Sequence, residues 1–161
     1  MSTSRAVSPP RPFSSPEHEA YVTLQRLATR LRDETEALLK TGGLSVTQFN
    51  VLRILRGSGR EGLTCGEIGG RLINKDPDVT RLLDRLEKLG WVERARSEQD
   101  RRVVLTRLSP EGRALVSRFD APLAELHRRQ FAHLPPERLA GLLDLLREAT
   151  ASPTGEEGDS S

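Results

Sequence analysis

The chain has 161 residues, enough for one domain with a real core, and its 35% hydrophobic and 30% charged content fits a helix-rich soluble protein rather than a membrane one. No apolar run approaches the roughly 20 residues of a bilayer span, and residues 1–16 lack the apolar segment of a signal peptide, so no membrane partner and a cytoplasmic location are expected. A net charge of +2 does not by itself mark a nucleic-acid binder, and one cysteine cannot form an internal disulfide, so the placement of charge carries the argument.

Residues 1–16, with Ser8-Pro9-Pro10-Arg11-Pro12 in their middle, are expected to be disordered. A helix is predicted over 17–40, its apolar face made by Val22, Leu24, Leu27, Ala28, Leu31, Leu38 and Leu39, and stopped at Gly42-Gly43. At about 22 residues it is long for a small domain and suits a dimer-building helix. Ser45-Val46-Thr47-Gln48 has capping-box spacing and opens a short helix carrying Phe49, Leu52 and Leu55. Thr64-Cys65-Gly66-Glu67 repeats that spacing ahead of Ile68 and Leu72, and the helix is expected to run to about Ile73. Gly69-Gly70 within it suggests a close approach of another helix, because each glycine costs roughly 1 kcal/mol against alanine. With Asn74-Lys75 as the turn, the next helix completes a helix-turn-helix.

That next helix is the centre of the chain. Asp76-Pro77-Asp78 is read as its start, with Asp76 as cap and Pro77 at the first position. Val79, Leu82, Leu83, Leu86 and Leu89 form an apolar stripe, Thr80, Arg81, Asp84, Arg85 and Lys88 lie on the other faces, and Gly90 ends the helix. Residues 91–94 and 103–108 are read as a hairpin whose tip, 97–102, is too polar to bury. A helix with an arginine-bearing face, backed by a hairpin with Arg101 and Arg102 at its tip, suits a reader of double-stranded DNA: the helix fits a major groove and the tip reaches a minor groove. Ser109-Pro110-Glu111 starts a helix predicted to 132, with a kink or local break at Pro122, and residues 137–149 form the last helix before a loose acidic tail over 150–161.

The segments LSVTQFNVLRIL (44–55), LTCGEIGGRL (63–72), VTRLLDRLEKLGWVER (79–94) and DRRVVLTRLSPEG (100–112) resemble the MarR family of bacterial transcriptional regulators, over roughly 17–149. The specific part is V-T-R-L-x-D-R-L-E followed closely by D-x-R-x-V-x-L-T. The resemblance implies a mainly α fold with a small β-hairpin: a winged helix-turn-helix core at about 44–108, with dimerisation helices at 17–40 and 109–149. It implies a nucleoid-associated homodimer that represses a near-palindromic operator and is relieved by a small aromatic or amphipathic effector or by an oxidant. It also implies that Arg102 enters the minor groove with Asp100 holding it, and it places Asp78, Thr80 and Arg81 at base-edge positions with Asp76 near the backbone. Arg85 belongs to the same candidate interface, and Arg101 is a phosphate partner.

Serine or threonine is commoner in the family where this chain has Asp76 and Asp78. Asp76 reads best as a cap, whereas Asp78 is either a cap or an acceptor for a cytosine amino group. Arg81 either grips guanine with two hydrogen bonds or binds phosphate. By resemblance an effector pocket would involve Phe49, Phe119 and Arg53, although both phenylalanines also suit an ordinary core. Cys65, at a helix start, reads as a small first-turn residue rather than a redox sensor. The spacing of His18, His127 and His133 does not suggest a metal site, and no catalytic constellation or cofactor motif is found, so neither enzyme nor cofactor is expected. A winged helix serving protein contacts is the competing reading, motivated by the modest charge and acidic leading edge.

Overall fold

The computed structural model describes residues 13–73 and 78–151; the proposed tails and the turn and cap at Asn74, Lys75, Asp76 and Pro77 lie largely or wholly outside them. The chain divides into two compact units, residues 1–120 and 121–161. The first contains α1 (Pro16–Lys40), α2 (Val46–Gly57), α3 (Cys65–Arg71), α4 (Val79–Lys88), strands β1 (Val92–Arg96) and β2 (Val104–Leu108), and α5 (Pro110–Arg118). Helix α6 (Asp120–Gln130) starts at the boundary, and α7 (Pro136–Thr150) belongs to the second unit.

Local chemistry explains most element ends. Ser15 caps α1, accepting from the His18 amide at 3.2 Å, so the helix begins one residue before the periodicity places it. Both capping boxes form: Gln48 N–H donates to Ser45 Oγ at 3.1 Å while Ser45 N–H donates to Gln48 Oε1 at 2.9 Å, and Thr64 and Glu67 exchange the equivalent pair. The backbone bond from Thr64 holds the Glu67 carboxyl below its ordinary pKa. At the end of α4, Gly90 takes φ +75°, its N–H donates to the Glu87 carbonyl, and the Trp91 N–H donates to Leu86. This double return bond is why a glycine is needed there.

Of the kink or local break expected near Pro122, the helix after the hairpin shows the break. The break falls at Phe119, three residues before Pro122. Proline has no N–H for the carbonyl four residues back, that of Arg118, so regular bonding fails upstream of it. Pro122 then occupies the first turn of α6, where a missing donor costs nothing. Arg56 grips the Asp120 carboxylate at the start of α6 with bonds of 2.9–3.0 Å, which lowers the Asp120 pKa.

The core of the first unit is built from Leu39, Leu44, Val51, Leu52, Leu55, Ile68, Leu83, Leu86, Val92 and Val116, each almost fully buried. Each contributes about 1.5–3 kcal/mol through removal from water. Strands β1 and β2 pair antiparallel, with Val92 opposite Leu108 and Arg94 opposite Thr106. Outside the two strands, Leu63 adds an isolated one-residue bridge by exchanging backbone bonds with Thr106 at 2.8 and 3.0 Å. This fastens the start of α3 to the hairpin.

The Gly69-Gly70 expectation is corrected in part. A methyl group at Gly69 would meet Val79 Cγ2 at 3.4 Å, an ordinary contact with α4, while one at Gly70 would meet open space. Gly70 therefore lowers helix propensity without any packing gain. Gly70→Ala should stabilise the protein by ~0.5–1 kcal/mol. A denaturant midpoint that falls would show that Gly70 has a packing role.

Candidate nucleic-acid interface

Three pieces form the candidate interface: α3, α4 and the β1–β2 wing. The N-cap of α4 is Asp78, not Asp76, with Asp78 Oδ1 accepting from the Arg81 amide at 3.0 Å. The helix correspondingly starts at Val79, later than the sequence suggests. Of the two roles open to Asp78, the cap is the one observed. It satisfies an amide at the positive end of the helix and draws part of the carboxylate's charge into that bond.

Val79, Leu83 and Leu86 point inward to varying depths, with Leu83 and Leu86 fully buried. Asp78, Arg81, Leu82, Arg85 and Leu89 share a second face and line an open cleft of about 720 Å³. Across it stand Lys40 and the first turn of α2 with Thr47 and Gln48, none of which the sequence marked as part of a site. Arg81 and Arg85 are exposed, and neither guanidinium has a hydrogen-bond partner among the described residues. Thr80 is also exposed, but its hydroxyl lies 3.5 Å from Cys65 Sγ, so it lies towards α3.

The wing tip is a built turn. The Arg102 amide donates to Asp100 Oδ1 at 2.9 Å, the Val103 amide to the Asp100 carbonyl at 3.0 Å, and the Ser97 amide to the Val103 carbonyl at 2.8 Å. Asp100 therefore holds the backbone of Arg102 rather than its guanidinium. The Arg101 and Arg102 side chains are exposed and carry no ion pair among the described residues.

Phe49 and Phe119 are buried and meet edge to face, ring centroids 6.0 Å apart, with the exposed Arg53 guanidinium 5.9 Å over the Phe49 ring. No group of three metal-binding side chains is found among the described residues, and no described helix is long and apolar enough to cross a membrane.

Residues 44–104 match the family model described as MarR family. The multiple antibiotic resistance protein MarR of Salmonella typhimurium is 34% identical over 106 residues, which cover 65% of this chain and 72% of that protein. Among solved structures, a MarR transcription factor from Planctomyces limnophilus is 36% identical, with a TM-score of 0.64 and coverage of 84% of this chain and 98% of that one. A mutant E. coli MarR complexed with operator DNA is 26% identical, with a TM-score of 0.74 and coverage of 85% and 99%. With a capped reading helix, a wing bridged to Leu63 and exposed arginines on both, this chain belongs to the MarR family of winged-helix, DNA-binding transcriptional regulators.

Proposed function

We propose that the protein is a homodimeric repressor of a near-palindromic operator. Arg81 and Arg85 work in the major groove, Arg102 in the adjacent minor groove and Arg101 on phosphate. Asp78 acts through the helix end that it caps, Asp100 through the turn that presents Arg102, and Thr80 stands at the α3-facing edge of the same surface. The observation that carries this reading is that four exposed arginines on α4 and the wing have no side-chain partner among the described residues, although the chain holds 23 acidic residues.

Dimerisation is supported by apolar surface that one chain leaves in water. Of the 25 residues of α1 only Leu39 is buried, with Tyr21 63% and Leu24 44% exposed. Helix α7 buries none of its residues and leaves Leu145 65% exposed. Such stripes are what a partner helix covers. Relief by a small aromatic or amphipathic effector is the finer part of the proposal. Arg53 is the accessible member of the Phe49–Phe119–Arg53 group and would meet an acidic ligand.

Selection of duplexes from a random library tests the function. The recovered site should show two-fold symmetry with half-sites about one helical turn apart. Affinity should fall with salt, with a slope near −5 on logarithmic axes if ~6 phosphates are neutralised. A flat salt dependence would instead favour a winged helix used for protein contacts.

A further inference from the structure

Arg94 was assigned no role by its position in the sequence, yet it sits where the wing meets the reading helix. Its Nε and Nη2 donate to Glu87 Oε2 at 2.9 and 2.7 Å, and Nη2 also donates to Asp84 Oδ1. Asp84 and Glu87 are three apart, on one face of α4, so a single planar guanidinium grips both. The pair of carboxylates raises the Arg94 pKa, with the Glu87 bond as the largest cause. Its side chain is only 25% exposed, against 47% for Asp84 and 40% for Glu87, so Arg94 is the inner member of the cluster.

Two residues along β1, hence on the same strand face, Arg96 Nη1 donates to the Arg101 carbonyl at 3.0 Å. The face of β1 is therefore tied at one end to α4 and at the other to the wing tip. Asp100 then fixes the amide of Arg102 within that tip. We propose that Arg94 is a positioning residue that sets the wing tip relative to α4, so that minor-groove and major-groove contacts are made in one fixed register. The proposal rests on the minor-groove role of Arg102 given above.

The alternative is that Arg94 merely neutralises two acids near DNA. Two variants separate these roles: Arg94→Lys keeps the charge but loses the planar fork, and the double variant Asp84→Asn, Glu87→Gln removes both acids while leaving Arg94 in place. The probe is the selected operator duplex, compared with one whose A·T-rich flank is replaced by G·C pairs and with one carrying a mismatch to the major-groove half-site. Circular dichroism and thermal melting check folding, and the double variant stands in if Arg94→Lys does not fold.

Both variants should lose ~10-fold of the discrimination between flanks while keeping the wild-type penalty for the half-site change. The double variant should do so even as its overall DNA affinity rises with the added positive charge. Flank discrimination at the wild-type level in a folded variant overturns the proposal. If Arg102→Ala abolishes flank discrimination and Arg94→Lys leaves it intact, the wing reading stands and the positioning role alone falls. If the wild-type protein itself ignores the flank, the wing reading fails and the positioning role falls with it.

Discussion

Arg102→Ala should weaken binding to the selected operator by ~1–3 kcal/mol, roughly 5- to 150-fold, while leaving the melting temperature nearly unchanged. The separation of effects follows from its surroundings. The side chain is exposed and makes no bond among the described residues, so its removal leaves no buried group unsatisfied. The turn survives as well, because Asp100 holds the Arg102 backbone amide, which alanine retains. The loss should be greatest on operators with narrow, A·T-rich flanks, where the groove's negative potential is concentrated. Titration of wild type and variant against one labelled duplex at two salt concentrations checks this. Equal affinities for the folded proteins would remove Arg102 from the interface.

How legible this was depended on the range of the interaction concerned. The capping boxes at Ser45 and Thr64 and the start at Ser109-Pro110 are local devices, complete within four residues, and the chain spells them out. The D-P-D run was ambiguous because both acids satisfy capping preference and proline suits a first turn. Only the observed reach of Asp78 to the Arg81 amide distinguishes them. The break at Phe119 was displaced from Pro122 because proline's effect falls on the carbonyl four residues earlier.

Interactions across longer separations left no pattern to read. The Leu63–Thr106 bridge involves one residue on one side, too short to produce an alternating signal. Arg56 and Asp120 are 64 positions apart, and Arg94 meets Asp84 and Glu87 only because the chain reverses at Gly90. Among the candidate site residues, exposure was legible while direction was not. Arg81 and Arg85 share the cleft with the α2 first turn, whereas Thr80, one position from Arg81, lies towards Cys65 on α3.

Gly112→Ala should destabilise the protein by ~3 kcal/mol, the opposite sign to the same exchange at Gly70. In an open helical position the alanine would be the better residue by about 1 kcal/mol. At Gly112 the added methyl carbon would stand 2.0 Å from the Trp91 carbonyl oxygen and 2.9 Å from its carbon, and that backbone has little room to yield. The Trp91 carbonyl already accepts the Ser109 amide at 3.1 Å, and Ser109 Oγ donates to the Gly90 carbonyl at 2.7 Å while accepting from the Gly112 amide at 2.9 Å. Relieving the overlap therefore requires α5 to lift away from the end of α4, breaking bonds of the buried Ser109. The melting temperature should fall by about 10 °C at fixed protein concentration. Trp91 is the only tryptophan of the chain, so its fluorescence reports the same junction directly. An unchanged melting curve and emission spectrum would mean that α5 does not approach the Trp91 carbonyl this closely. It would also remove the stated reason for a glycine at a position where helix propensity argues against one.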